Sequence, residues 1–270
     1  MLTSHRPPSH SVVSPAARRG TVIAMVAAAV AVLAAGCGGG STTTTSATTS
    51  ATTAATTSST SALAGLSADQ VLAKARAAAA GARSVHIVGH GVQGGGTTSF
   101  DLKLTSALGA VGSIELGGGK VEIVRIGGDI YFKADEKTLA SGLGGSSTEI
   151  AKVVAGRFIK GPLTDRRLAG FTQVTSLKDV ISNLLNPGGA ITRVDGKPVN
   201  GVRTVGLLND NKATGGTLYI AAEGTPFPLL IEALANGSAT GTLQMKDWNA
   251  GVMINAPPPD QVIDLSRLGK

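Results

Sequence analysis

A single cysteine, Cys37, in 270 residues excludes any intramolecular disulfide and leaves no second thiol to share a metal ion. Aromatic residues are nearly as scarce, at one Trp, two Tyr and five Phe. Aromatic side chains bring the largest buried area per residue. A folded region with so few either packs on Ala, Val, Leu and Ile or lines a hollow with them, and composition leaves both open. No apolar run reaches the roughly 20 residues of a membrane-spanning helix, because the longest, 21–35, stops short of that. Chemical signatures are missing too: no Gly-x-Ser-x-Gly, no phosphate loop ending in Lys-Ser or Lys-Thr, and no His-x-x-Glu. These gaps favour binding over catalysis, so the chain is read as a non-enzyme with no catalytic residues.

What is present begins with a leader. Arg6, Arg18 and Arg19, with no acid among them, precede the Ala-, Val-, Ile- and Leu-rich run 21–35, the layout of a secretory signal. The run ends in Leu33-Ala34-Ala35-Gly36-Cys37, which looks like a lipobox with Leu33 one place further from the cysteine than in the commonest form. Residues 1–36 are therefore expected to be a lipoprotein signal peptide of the general secretory route, since the residues flanking Arg18-Arg19 match the twin-arginine pattern poorly. Cys37 is the expected lipidation site. It would carry a diacylglyceryl group and a further acyl chain such as palmitate, and no other cofactor is expected. Two acyl signals give stable anchoring where one is marginal, which places the protein on the outer face of the cell membrane.

From 38 to 61 the chain is almost wholly Gly, Ser, Thr and Ala, with nothing large enough to build a core. Residues 37–66 are read as lipidated cysteine plus tether, spanning about 25–30 Å if flexible. With the three leader arginines removed, 21 basic residues face 17 acidic ones, a net charge of +4. These charges are scattered, which argues against a nucleic-acid surface.

Residues 67–270 form the expected folded domain, a monomer. Ser67-Ala68-Asp69-Gln70 reads as a capped start for an Ala-rich helix over 71–80, ended by Gly81. Short alternating runs then predict strands at 84–92, 99–105, 111–116, 120–126 and 129–133. Helices are expected at 147–155 and 176–185, then strands at 190–199, 202–208, 216–222, 228–235, 238–248 and 251–254. Asp195-Gly196, Asn200-Gly201, Glu223-Gly224 and Asn236-Gly237 supply hairpin turns. The fold class is α+β: one strongly curved antiparallel sheet, a half-barrel of about eleven strands, with helices over its concave face.

This layout resembles the LppX/LprAFG group of actinobacterial lipoproteins and, more distantly, the LolA and LolB lipoprotein carriers. The residues that carry the resemblance are Ser84-Val85-His86 after the Ala-rich helix, Gly128-Asp129-Ile130-Tyr131-Phe132-Lys133, and Val194-Asp195-Gly196-Lys197-Pro198-Val199-Asn200-Gly201-Val202. Leu218-Tyr219-Ile220-Ala221 with Glu223-Gly224-Thr225-Pro226-Phe227-Pro228-Leu229, and Lys246-Asp247-Trp248-Asn249, complete it. The resemblance implies an apolar cavity for acyl chains of a lipid or glycolipid, and a membrane export partner. Apolar periodicity nominates Val153, Leu177, Val180, Ile181 and Leu184 as cavity-lining residues.

Two histidines, His86 and His90, share a strand face, but zinc takes three or four ligands, so no metal site is expected. Asp135-Glu136 reads as a solvated turn, and Trp248 as a packing residue. The leading expectation is a lipid-binding, lipid-carrying envelope lipoprotein. A scaffold or sensor module with a closed core is the alternative, and a hydrolase the third reading.

Overall fold

The computed structural model describes residues 62–93, 96–107, 109–142, 152–212, 215–234 and 239–265. The leader, Cys37, the tether to residue 61, most of the expected helix 147–155 and the Asn236-Gly237 turn lie outside these residues.

Helix α1 (Ala68–Ala80) begins as its sequence indicates. The Ser67 hydroxyl accepts from the Gln70 backbone N–H, and the Gln70 side chain accepts from the Ser67 N–H, so two otherwise unpaired groups are satisfied reciprocally. Val71, Leu72, Ala75 and Ala79 are its buried stripe. Strands β1 (Ser84–Gln93), β2 (Gly96–Thr105), β3 (Gly109–Leu116), β4 (Gly119–Ile126) and β5 (Asp129–Ala134) follow as an antiparallel meander. After α2 (Glu136–Gly142) and β6 (Phe158–Pro162) come α3 (Ala169–Thr175) and α4 (Leu177–Leu184). A second meander runs through β7 (Thr192–Asp195), β8 (Thr204–Asn209), β9 (Gly216–Ala221), β10 (Pro228–Ala233) and β11 (Ala239–Lys246), and β12 (Val262–Asp264) ends the described chain.

The sheet order β12-β6-β5-β4-β3-β2-β1-β11-β10-β9-β8-β7 explains where the middle helices lie. The first meander finishes at one side of the sheet, and the second starts at the opposite edge with β7 and works back to pair β11 with β1. The connection between them must cross a face of the sheet, and it carries α3 and α4 across the inner one. There Leu177, Ile181 and Leu185 join the core with the α1 stripe. The result is one open, curved, mostly antiparallel half-barrel with helices inside it.

Register fixes which residues face inward, because successive side chains on a strand alternate faces. One row runs Met245, Ile87, Leu102, Gly112, Ile123, Phe132, Ile159 across seven strands. Gly112 belongs there by necessity: its φ is +151°, and a Cβ would lie 2.0 Å from the Asp101 carbonyl oxygen. A parallel row, Arg193, Leu207, Leu218, Ile231, Leu243, Gly89, starts with a charge. Arg193 turns that charge to structural use, donating from Nη1 to the carbonyls of Leu63 (2.8 Å) and Leu66 (2.7 Å). Leu63 is buried in the core. Arg193→Ala should therefore cost about 2 kcal/mol, the worth of a charge-assisted hydrogen bond. Urea unfolding checks this, with Arg193→Lys recovering part of the loss.

Several expectations need correction. The described sheet, at twelve strands, matches the expected half-barrel of about eleven, but it is not wholly antiparallel, because β12 pairs with β6 in parallel. Strand β6 escaped notice because its five residues include Gly161 and Pro162, which read as loop; β12 is too short to show a period. Residues 251–254 do alternate, with Met253 87% exposed between half-buried Val252 and Ile254, yet they pair with no strand. Alternation reports which side faces the core, not whether a backbone partner is present. Asp195-Gly196 is not a turn: the β7–β8 connection turns at Asn200 (φ +50°) and Gly201 (φ +79°), with Val199 bridged to Val202. Gly196 is required because a Cβ there would meet the Thr204 carbonyl oxygen at 1.8 Å. Helix α2 replaces the expected solvated turn at Asp135-Glu136. The Asp135 carboxylate accepts from the Thr138 N–H at 2.7 Å, and that bond holds its pKa below the ordinary 3.8. Among the described residues no helix is long and apolar enough to cross a membrane.

Candidate functional site

Where β2 ends, β3 begins and β4 ends, the inner face is not filled. A cavity of about 780 Å³ opens there between the sheet, the second half of α1 and the α3–α4 segment. The size lies within the range of small-molecule sites. Its helical wall follows from sequence spacing: Leu177, Ile181 and Leu185 recur every four residues and so share one side of α4, and all three line the cavity. Ala79 and Ala82 face them from α1 and the residues just after it. Small side chains opposite large ones leave the space open.

The start of α4 is held by its own cap. The Ser176 hydroxyl accepts from the Asp179 N–H at 3.3 Å, and buried Thr175 donates to the Phe171 carbonyl at 2.6 Å. Phe171 in turn stacks on Phe132, ring centroids 5.2 Å apart. The helical wall is thus fastened to the central row of the sheet. Arg76 closes the other end, donating from Nε (3.0 Å) and Nη2 (2.8 Å) to the Leu185 carbonyl.

Of the five residues nominated from periodicity, Leu177 and Ile181 lie on the cavity wall. Val180 and Leu184 are half-buried and pack against the core beside it. Val153 does not belong: it is 70% exposed and outside the lining. Apolar periodicity in a short segment does not say which side faces inward, and here Val154 is the buried neighbour. Sequence reading missed the cations Arg76, Arg125 and Lys178 on the lining. One signal was available for Arg125, whose position continues the inward alternation Val121, Ile123.

The other candidates lie elsewhere. His86, on the outer face of β1, is 14% exposed in its side chain and sits between Asp101 (2.8 Å from Nε2) and Asp247 (3.3 Å from Nδ1). His90 is exposed. Among the described residues no cluster of three or more His, Cys, Asp or Glu is placed to hold a metal ion. Gly117 and Gly118 form the two-residue β3–β4 turn, both with positive φ. Trp248 stacks on Phe227 at 4.6 Å and donates to the Pro228 carbonyl at 3.0 Å, a packing role.

No protein-family model matches the chain, and no curated protein matches it either. Among solved structures, the chain is similar to a LolA superfamily protein from Nitrosomonas europaea at 9% identity and a TM-score of 0.23, over 72% of this chain and 96% of that one. It is similar to LprF from Mycobacterium bovis (16% identity, TM-score 0.44, 70% of this chain and 96% of that one) and to the Mycobacterium tuberculosis lipoprotein LppX (16% identity, TM-score 0.42, 69% and 99%).

Proposed function

We propose that this protein is an envelope lipoprotein, exported by the general secretory route and lipidated at Cys37, whose folded domain binds an acylated lipid or glycolipid and carries it across the envelope. The observation that carries the reading is the unfilled cavity of about 780 Å³ walled by Leu177, Ile181 and Leu185. Space left unfilled beside the core of a half-barrel adds nothing to stability, since closing it would strengthen packing. A sixteen-carbon acyl chain gains about 0.8 kcal/mol per buried CH₂, or roughly 10 kcal/mol before ordering costs. The leader and lipobox put the domain at a membrane, and the Ser/Thr/Ala/Gly tether lets the cavity swing away from it. A membrane export partner would receive or supply the cargo. A scaffold or sensor module needs no such cavity.

The test uses the full chain bearing Cys37→Ser, held in CHAPS, a detergent without an alkyl tail to compete. A fluorescent fatty-acyl probe should bind with a dissociation constant of about 1 μM or tighter, and a folded chain that ignores the probe would refute the reading. Ser182→Trp localises the site. Ser182 lies on the lining yet is exposed on α4, so an indole there occupies cavity volume without removing core. Probe affinity should fall about tenfold, or 1.4 kcal/mol, while the thermal midpoint stays within about 2 °C.

A further inference from the structure

The cavity lining contains three cations and no carboxylate. They come from three elements: Arg76 from α1, Arg125 from the end of β4, and Lys178 from the first turn of α4. Four cations elsewhere are paired with carboxylates. Lys133 meets Glu122 at 2.8 Å and Lys160 meets Asp129 at 3.0 Å, while Lys197 and Arg203 pair with Glu232 and Glu223. Among the described residues, none of the three cavity cations has a carboxylate partner.

Arg125 is the most informative of them. Its register row runs Val85, Leu104, Ala110, Arg125, Ile130, Gly161, and the other five positions are apolar. A charge at a half-buried, core-facing position is costly unless something meets it. Arg125 offers five N–H donors, and its hydrogen bond among the described residues runs from Nε to the Gly127 carbonyl at 3.2 Å. Arg193, the comparable inward arginine of β7, has its charge absorbed by two backbone carbonyls on one nitrogen. Arg125 meets one backbone carbonyl with one of its donors. Arg76 spends two donors on the Leu185 carbonyl but meets no negative charge, and Lys178 adds a third positive charge to the same space.

We propose that the cavity selects acylated lipids whose head group bears a phosphate, the phosphate meeting Arg125 and Lys178 with Arg76 beside it, while the acyl chains lie on the Leu177, Ile181 and Leu185 wall. This rests on the lipid-binding reading and deepens it by naming the head-group class. Guanidinium groups match phosphate oxygens in a forked, charge-assisted geometry. Low-dielectric walls strengthen the field of the three cations at the site. A neutral lipid would leave the half-buried Arg125 charge without an anionic partner.

The experiment measures retention of three probes by the full Cys37→Ser chain in CHAPS: dioleoyl phosphatidylglycerol, dioleoylglycerol with the same chains and no phosphate, and glycerol phosphate with no chains. Native mass spectrometry counts bound lipid, and calorimetry follows glycerol phosphate. The phospholipid should bind about tenfold more tightly than the neutral lipid, as a charge-assisted contact implies. Arg125→Gln with Lys178→Gln should shrink that ratio to about threefold or less, since the contact they supply is lost. Circular dichroism checks the fold. If Arg125→Gln unfolds, Lys178→Gln alone, at an exposed helix position, must still reduce the ratio. Equal retention of both lipids, or a ratio untouched by the variants, overturns the head-group inference and leaves the acyl-binding reading standing. Binding of glycerol phosphate with neither lipid retained overturns both, making the cavity a site for soluble anions. Retention of nothing overturns both as well.

Discussion

Phe132→Ala should lower the unfolding free energy of the domain by about 4 kcal/mol, within the range for deleting a buried aromatic ring, and the thermal midpoint by roughly 8–15 °C. Phe132 is 2% exposed and is among the largest fully buried side chains. It stands in the central inward row between Ile123 and Ile159, and its ring is the platform for Phe171 on α3. Removing it leaves a void that neither neighbour can close, because strand register holds their Cβ atoms in place. With so few aromatics in the chain, no second ring can take over. The loss should also loosen α3, hence Thr175, Ser176 and the cavity wall beyond them. A useful control is Phe158→Ala on the opposite face of β6, where the ring is half-buried beneath the Lys133 ammonium at 4.8 Å. That change should cost about 1 kcal/mol, the order of an exposed cation–π contact plus partial burial. Equal effects in the two variants would mean that the inner row is not the core of the half-barrel.

Much of the fold could be read from the chain because its signals are local. Capping at Ser67 and Gln70, the alternation in β1 to β5 and the turn glycines at 117 and 118 each depend on neighbours within a few residues. What could not be read depends on distant partners. Helix α3, with Gly170 and the β-branched Thr172, Val174 and Thr175, has poor intrinsic propensity, and is stabilised by Phe171 lying on a strand nearly forty residues earlier. Strand β12 exists only because β6 offers it an edge. The alternating stretch 251–254 has no edge to join and remains unpaired.

The cavity divides in the same way. Leu177 and Ile181 were visible because α4 keeps a helical period long enough to define a face. Val153 misled because its segment gives too few positions to tell inside from outside. No one of the cations stands out in the sequence, since each looks like an ordinary surface charge in its own element. Only register, which places Arg125 in line with Leu104 and Ile130, and the crossing of α4 over the sheet bring it into one space with Arg76 and Lys178. Chemistry assembled from three elements leaves no motif.

Cys37→Ser should abolish incorporation of labelled palmitate and release the protein from firm membrane attachment. The expectation is all-or-none because the chain has no second cysteine to substitute. Acyl anchoring strengthens by about 0.8 kcal/mol per buried CH₂, and one chain alone holds only marginally. Losing every chain at once therefore changes the membrane partition by many orders of magnitude. The apolar run 21–35 is a poor replacement: as a helix it would be about 22 Å long at 1.5 Å per residue, against a hydrocarbon core of about 30 Å. Metabolic labelling decides first, because it reads the modification whether or not the leader is removed. Label retained by the serine variant would place the acyl chain on another residue and refute the lipobox. Loss of label with the protein still in the washed membrane fraction would show a second attachment, through the uncleaved leader or the domain itself. Loss of both label and attachment leaves the two acyl groups on Cys37 as the anchor.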